Sequence, residues 1–289
     1  MPINPKRLYE KDYQSVINAL IEFYNERPDN YGLMERPQEV YENYAKYINK
    51  YVQDKNSVLL DLGSGSWRIP DTIAGYGFKQ VIGLDYFSDE KLNEYSKEIK
   101  NSNAELVQYE NGKIPFGNGY FDCISSLCVL EHIVHIRETL DDMDRVLKPG
   151  GFIIIQSPNW SGINVYLSAV IHFIKSKDRF WQLNTFWDAF FGVFRSIKWF
   201  LEVLLAKEPK FILTFPRMKQ GKIDFERSDD DAVHLCQPLS FKKYFRQKGY
   251  EIIEYNRNAG VTPYSKFFNK LFPSMATTNE IVVRKPIGK

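Results

Sequence analysis

The 289-residue chain contains only three cysteines, Cys123, Cys128 and Cys236, and no two of them form a CxxC pair. An odd number without that spacing argues against a disulfide framework and a structural zinc site. No stretch reaches the roughly 18 uncharged apolar residues that a membrane-spanning helix needs. The N-terminal segment also lacks the apolar core of a secretory signal. We therefore predict a cytoplasmic protein that binds no metal.

The chain also lacks an excess of charge. Its 38 Lys and Arg residues against 36 Asp and Glu residues give a net charge of +2, so nucleic acid is not expected as a partner. The 44% hydrophobic and 26% charged residues are typical of globular domains. Aromatic residues are abundant at 15% and are unevenly distributed.

Short apolar runs alternate with helix-like segments from residue 58 onward, a pattern typical of βαβ units and a parallel sheet. The expected strands are 58–62, 80–85, 104–109, 121–127, 152–157, 251–255 and 280–283. The segment before them shows helical spacing of apolar residues, and the segment between the fifth and sixth strands shows no strand pattern. The sequence therefore predicts four parts: a helical cap (1–55), a core (56–159), a helical insertion (160–232) and the rest of the core (233–289).

A glycine turn directly follows the first strand, where Gly63 and Gly65 flank one serine. Such a turn lets the backbone approach a ligand closely. The second strand ends at Asp85, which is placed to accept a ribose hydroxyl. A dinucleotide site needs a third glycine, but Arg68 stands there. Asp61, two residues before the turn, suits a ligand with ammonium and sulfonium groups better than a pyrophosphate.

These residues resemble the first motif of class I S-adenosylmethionine-dependent methyltransferases, which reads acid-x-Gly-x-Gly. Later phrases occur in the order of that family: Ile114-Pro115-Phe116, Leu130-Glu131-His132 and Leu147-Lys148-Pro149-Gly150-Gly151. The resemblance covers about 56–158 and 234–284. It implies a doubly wound α/β sheet of seven strands with the last strand antiparallel, and S-adenosylmethionine as cofactor.

The same resemblance assigns further cofactor contacts. Tyr86 is expected against the adenine face, and Glu110 with Asn111 near the adenine amino group. Backbone near Leu127 is expected to receive the methionine amino group. The family usually has aspartate where this chain has Glu110.

Two histidines are candidates for the acceptor side of the site. His234 rejoins the core after the insertion, and a histidine is the natural base for a hydroxyl being methylated. We expect His234 to take the proton and His132 to shape the methionine end of the cofactor site. The alternative roles for His234 are a helix cap or a hinge. The acidic triplet before it, 229–231, is expected to be a solvated turn, and a metal at Glu131 and the nearby histidines is not expected.

The insertion is rich in aromatic and basic residues. Residues 161–222 hold 13 aromatic residues and ten Lys or Arg against four acids. An apolar stripe at helical spacing runs through Leu183, Phe186, Trp187, Phe190, Phe194, Ile197, Leu201 and Leu204. Three roles remain open: a lid on the catalytic domain, a peripheral membrane contact, and a homodimer contact.

The sequence thus predicts a methyltransferase that acts on a small-molecule, glycan or lipid-linked acceptor. Oxygen is favoured because the chain has no Asn-Pro-Pro-aromatic phrase, which amide and base N-methyltransferases use. A nicotinamide-dependent oxidoreductase and a non-catalytic cofactor-binding module on the same fold are the alternatives.

Overall fold

A seven-stranded sheet forms the centre of the molecule. The computed structural model describes residues 14–26, 36–109, 113–176, 178, 180, 183–226, 229–256, 267 and 269–288. The strands of this sheet are β1 (Val58–Leu62), β2 (Gln80–Asp85), β3 (Ala104–Gln108), β4 (Phe121–Leu127), β5 (Leu147–Pro158), β8 (Glu251–Tyr255) and β9 (Thr278–Arg284). Two short strands, β6 (Met218–Lys219) and β7 (Lys222–Ile223), form a separate hairpin.

The strand order is β3-β2-β1-β4-β5-β9-β8, and β9 runs antiparallel to both of its neighbours. The other neighbouring strands are parallel. The predicted α/β sheet with an antiparallel last strand is therefore confirmed. All five residues of β1 are buried, because helices cover both faces of a parallel sheet and leave no polar face.

The described part of the chain contains eight main α-helices. They are α1 (Gln14–Glu26), α2 (Gln38–Tyr51), α3 (Arg68–Ala74), α4 (Asp89–Glu98), α5 (Ile136–Val146), α6 (Ile163–Lys175), α7 (Phe186–Leu205) and α8 (Pro238–Gln247). Ser88 caps α4 by accepting from the Lys91 N–H, as its place before the helix predicts. No helix within the described ranges is long and apolar enough to cross a membrane.

The chain reverses its direction of winding at β1, with β2 on one side and β4 on the other. In open parallel sheets, ligands bind beyond the carboxyl ends of the strands at such a switch point. This geometry brings the residues after β1, β2 and β4 to one edge of the sheet.

One local expectation differs from the structure. The segment Lys148–Gly151 reads as a turn, because it follows a helix and contains Pro-Gly-Gly. In the structure β5 already begins at Leu147, which pairs with Phe121. The Pro-Gly-Gly segment fits into the strand because the pairing of β4 with β5 shifts register between Phe121 and Cys123 and because Gly150 adopts a positive φ of 79°.

Candidate active site

The glycine turn after β1 is tied to the end of β2. Gly63 and Gly65 both have positive φ angles, 76° and 66°, which glycine adopts without strain. The Gly63 N–H donates to the Leu84 carbonyl (2.7 Å). The Gly65 N–H donates to Asp85 Oδ2 (2.7 Å). The structure therefore brings together the turn and the carboxylate that the sequence assigns to one cofactor site.

The two glycines serve different purposes. A Cβ on Gly63 would lie 2.2 Å from Val129 Cγ2, so this position has no room because of the protein's own packing. Among the residues that the structure describes, a Cβ on Gly65 would meet no atom within 4 Å. Within that part of the chain Gly65 therefore borders space that a ligand could fill.

Asp61 is the buried acid of the site, with an exposed fraction of only 1%. Its Oδ1 accepts from the Ser125 hydroxyl (2.7 Å), whereas its Oδ2 has no hydrogen-bond partner in the structure. Burial raises the pKa of the Asp61 carboxyl to about 7, and the charge of Asp85 adds to the effect. A buried carboxylate oxygen without a partner suits a positively charged ligand group.

The aromatic side of the site lies beyond Asp85. Asp85 Oδ1 accepts from the Tyr86 N–H (2.6 Å). The Tyr86 ring is 43% exposed and meets Tyr109 edge to face, with 4.8 Å between the ring centroids. The two rings offer a surface on which a flat heterocycle can pack. The sequence did not single out Tyr109, although an aromatic residue at the end of β3 is a usable signal.

The remaining predicted cofactor residues are placed as follows. Leu127 ends β4 and pairs with Gln156 of β5. Glu110 and Asn111 lie outside the described residues. The described residues of the site fit S-adenosylmethionine, which has one cationic end and one adenosine end. Asp61 suits the cationic end, and Asp85 with the two tyrosines suits the adenosine end, with Gly65 leaving space for the ligand.

A polar cluster, the His132 cluster, adjoins this cradle and consists of Tyr24, Glu131, His132, Asp229 and Asp231. His132 Nδ1 lies 3.2 Å from Asp231 Oδ2, which also accepts from the Tyr24 hydroxyl (2.7 Å). His132 Nε2 lies 3.7 Å from Asp229 Oδ1 and 3.8 Å from Glu131 Oε1. His132 itself sits in a single 3₁₀ turn, residues 130–132, ahead of α5.

The carboxylates set the protonation of this cluster. Burial lowers the pKa of His132, but Asp231, Glu131 and Asp229 outweigh it and raise the pKa to about 10. Burial raises the pKa of Glu131, whose two carboxylate oxygens have no hydrogen-bond partner in the structure. Although burial opposes it, the charge of His132 holds the pKa of Asp231 below its usual value.

The acidic triplet is not a solvated turn. Asp230 and Asp231 are fully buried, and only Asp229 of the three is partly accessible. Ligand atoms of Glu131, His132 and Asp229 lie within 4.8 Å of one another, close enough to hold one cation. Local sequence could not reveal this cluster, because Tyr24 and Asp231 are 207 residues apart.

His234 meets this cluster through its backbone, whose N–H donates to the Glu131 carbonyl (2.8 Å). Its side chain is fully buried against the rings of Phe211 and Phe241, whose centroids lie 5.6 and 5.7 Å from that of the imidazole. Its Nδ1 lies 3.3 Å from Cys236 Sγ. Burial lowers the pKa of His234 to about 3, so the ring is neutral at physiological pH. This placement argues against the predicted role of His234 as the residue that meets the acceptor.

The family follows from comparison with known proteins. The sequence profile of the family described as "Methyltransferase domain" matches residues 35–255, which is more than half of the chain. The chain belongs to this methyltransferase family. This membership argues against the nicotinamide-dependent oxidoreductase that the sequence left open.

Two curated proteins are similar over part of their length. Demethylmenaquinone methyltransferase of Staphylococcus carnosus is 34% identical over 127 residues, covering 43% of this chain and 52% of that protein. The mitochondrial ubiquinone biosynthesis O-methyltransferase of Dictyostelium discoideum is 28% identical over 127 residues, covering 39% of this chain and 38% of that protein. The chain thus spans about half or less of the length of these relatives.

Two solved structures show the same fold. The 1,6-didemethyltoxoflavin-N1-methyltransferase of Burkholderia thailandensis, solved with 1,6-didemethyltoxoflavin and S-adenosylhomocysteine, has a TM-score of 0.52 at 12% identity and covers 99% of this chain and 94% of that one. An S-adenosylmethionine-dependent methyltransferase of Mesorhizobium loti has a TM-score of 0.51 at 10% identity and covers 86% of this chain and 100% of that one.

Replacing Asp85 by alanine is expected to weaken cofactor binding by about 1.5–3 kcal/mol, the range for a hydrogen bond to a charged group. The substitution removes the acceptor for a ribose hydroxyl and also releases the Gly65 N–H. Isothermal titration calorimetry with S-adenosylhomocysteine measures the loss. Glu90→Ala, an exposed acid on α4, is the control and should bind normally. An unchanged affinity in Asp85→Ala would remove this residue from the site.

Affinity for S-adenosylhomocysteine is expected to fall as the pH drops from 7.5 to 5.5. The amino group of the ligand favours the ionised form of Asp61, and below its pKa of about 7 the free protein holds that carboxyl neutral. The affinity should therefore fall by up to about tenfold for each further pH unit. Calorimetry across this range should show that the affinity of Asp61→Asn depends less on pH than that of the wild type. Asp122→Asn, at the opposite end of the sheet, should keep the wild-type pH dependence. If the affinity of Asp61→Asn depends on pH as strongly as that of the wild type, Asp61 is not the group that meets the ligand's amino group.

Proposed function

We propose that this methyltransferase methylates a ring hydroxyl oxygen of an aromatic, quinol-type acceptor that carries a lipid tail. The observation that carries the proposal is the His132 cluster, a buried set of proton-binding groups beside the cofactor cradle. The names of the two curated relatives, both from quinone biosynthesis, support the choice of acceptor class.

The cluster is next to the cradle because of one packing contact. The side chain of Val129 fills the space above Gly63. The His132 N–H donates to the Val129 carbonyl (2.9 Å), closing the 3₁₀ turn. His132 is thus one turn away from the residue that packs on the glycine turn. An acceptor bound against this turn is within reach of the cluster.

The arrangement of the cluster orients the imidazole for proton transfer. Asp231 contacts Nδ1 of His132 and is itself held by the Tyr24 hydroxyl. The other ring nitrogen of His132, Nε2, therefore faces Asp229, the less buried acid of the cluster. An acid on one ring nitrogen holds the other in place as a base. Bound S-adenosylmethionine supplies the electrophilic methyl group.

We assign the base from its position rather than from its basicity. The surrounding carboxylates raise the pKa of His132 to about 10, so at neutral pH most of the imidazole is protonated, and only the deprotonated fraction, which grows as the pH rises, can accept a proton. His132 lies one turn from Val129, whereas the His234 side chain is buried against Phe211 and Phe241. We therefore assign His132, rather than His234, as the base that takes the acceptor proton.

A transfer assay with several acceptors tests the proposal. The protein is incubated with ¹³C-methyl S-adenosylmethionine and one of four compounds: a prenylated catechol, a demethylmenaquinol with a short tail, an aliphatic amine and a free sugar. We expect transfer to the ring compounds alone, with the label on oxygen. Transfer to the amine or the sugar in preference to the rings would overturn the proposal. Label on ring carbon would favour the second candidate, C-methylation, to which relatives named UbiE point at 40% identity over 53 residues.

A further inference from the structure

Helices α6 and α7 expose a large apolar surface, which we call the outer stripe. It consists of Leu167, Ile171 and Ile174 on α6 and Trp187, Phe190, Phe191, Phe194, Ile197, Leu201, Leu204 and Leu205 on α7. These side chains are between 38% and 79% exposed. Contiguous apolar patches of this kind mark interaction sites, because a soluble surface rarely tolerates them. The stripe that the sequence predicts on α7 is therefore real, but it faces outward.

The orientation of α7 is fixed by small residues on its other face. Ala189, Gly192 and Ser196 are buried. A Cβ on Gly192 would lie 2.0 Å from Tyr166 Cδ1, so α7 meets α6 at this glycine. The Ser196 hydroxyl also donates to the Ser161 carbonyl (2.6 Å). Rotating α7 to bury its large residues would break this packing, and the outer stripe cannot turn inward.

The charges around the outer stripe select the kind of partner. Lys198 lies within the stripe on α7, and Lys175 ends α6; both are exposed and, in the ranges that the structure describes, neither enters an ion pair. Both acids of α7 already have partners. Asp188 completes the capping box of α7 with Thr185, and Glu202 pairs with Lys210 (2.9 Å). The surface is therefore apolar and cationic.

A second copy of this chain fits such a surface poorly. A two-fold symmetric contact places the same patch on both copies, so it would bring the Lys198 side chains of both copies into one apolar interface. A lipid surface fits it well. Apolar side chains enter the boundary of the acyl chains, while lysines meet anionic headgroups.

We infer that the outer stripe docks this methyltransferase onto the surface of an anionic membrane. Helix α7, with 20 residues, is about 30 Å long and lies along the interface rather than across the bilayer. The reason for such docking, access to an acceptor dissolved in the bilayer, rests on the proposed function. The docking itself rests only on the geometry and charge of α6 and α7.

Co-sedimentation with vesicles tests the docking. The wild-type protein is mixed, without acceptor, with vesicles of phosphatidylcholine alone or of phosphatidylcholine and phosphatidylglycerol in equal parts. We expect binding to the anionic vesicles at low salt and weaker binding as salt is raised. The triple variant Trp187→Ser, Phe191→Ser, Phe194→Ser should bind roughly a hundredfold more weakly, because three apolar anchors are lost. The affinity of Lys198→Glu should fall for anionic vesicles only.

Matched controls exclude a folding defect. The triple variant Ile21→Ser, Tyr120→Ser, Ile287→Ser alters three exposed apolar residues outside the stripe and should bind like the wild type. Both triple variants should bind S-adenosylhomocysteine normally. Absence of wild-type binding at low salt, or equal binding by both triple variants, would overturn the inference. So would a wild-type dimer in analytical ultracentrifugation that the first triple variant alone abolishes.

The proposed function is tested separately. Methylation of a water-soluble catechol without a tail does not need the membrane. If that reaction fails while vesicle binding persists, the acceptor class is wrong and the docking surface stands. If the reaction proceeds while vesicle binding is absent, the docking surface is wrong and the proposed function stands.

Discussion

Replacing His132 by glutamine is expected to lower kcat by about 10²–10⁴, the usual cost of removing a general base. Affinity for S-adenosylhomocysteine should change little, because we propose that the cofactor contacts Asp61, Gly65 and Asp85 rather than His132. The wild-type kcat should also rise with pH between 6 and 9, since only the deprotonated imidazole accepts a proton and its pKa is raised. The glutamine variant should lose this rise. Initial rates with a catechol acceptor, measured over this pH range, provide the data.

His135→Gln is the matched control for this experiment. His135 lies three residues further on, at the N-terminus of α5 and outside the cluster, so this variant should keep its kcat and its pH profile. His234→Gln should affect stability more than the pH profile, because that side chain is buried against two aromatic rings. A His132→Gln variant with wild-type kcat, or loss of the pH dependence in His234→Gln instead, would contradict the assignment of the base.

Replacing Gly65 by asparagine is expected to weaken cofactor binding by about a hundredfold or more, equivalent to roughly 2.8 kcal/mol. Asparagine is among the residues that tolerate a positive φ best, so the backbone can keep its conformation. Its side chain instead enters the open space that a Cβ at this position faces. Calorimetry with S-adenosylhomocysteine measures the loss of affinity.

Gly77 offers a control with the same backbone cost. It has a positive φ of 79°, and a Cβ there would likewise meet no atom within 4 Å. Gly77→Asn should therefore show a similar change in thermal stability and no change in cofactor affinity. Equal affinities of the two variants would mean that the space beside Gly65 is not the cradle.

The parallel core of this protein was readable from sequence because its strands are short, apolar and regularly spaced. The boundaries of β1, β2 and β4 are as predicted. Fully buried strands give continuous apolar runs, and the turn after β1 is marked by glycines that need positive φ. The start of β5 was missed, because its first residues, Lys148–Gly151, contain Pro and Gly and read as a loop.

The contact between the glycine turn and Asp85 could also be predicted from the sequence, whereas the His132 cluster could not. Gly65 and Asp85 are local to strand ends, and the fold brings strand ends together. The His132 cluster instead needs Tyr24 from α1 and Asp231 from the end of the insertion. Such a long-range contact has no local signature. His234 was singled out for its position in the chain, but its burial against two aromatic rings depends on how the whole segment packs.

The insertion shows a further limit of pattern reading. The sequence defines the apolar stripe of α7, and a stripe ordinarily faces the protein core. Here the small residues Ala189, Gly192 and Ser196 face inward, because close contact with Tyr166 requires them. Periodicity identifies the two faces of a helix, but the packing partner decides which one is buried.

The position of the transferred methyl group tests the central claim most directly. The protein is given ¹³C-methyl S-adenosylmethionine and a prenylated catechol, and the product is examined by two-dimensional NMR. We predict a labelled methyl group bonded to a ring oxygen, formed by the wild type and much more slowly by His132→Gln. A label on ring carbon, or equal rates for the two proteins, would contradict O-methylation with His132 as the base.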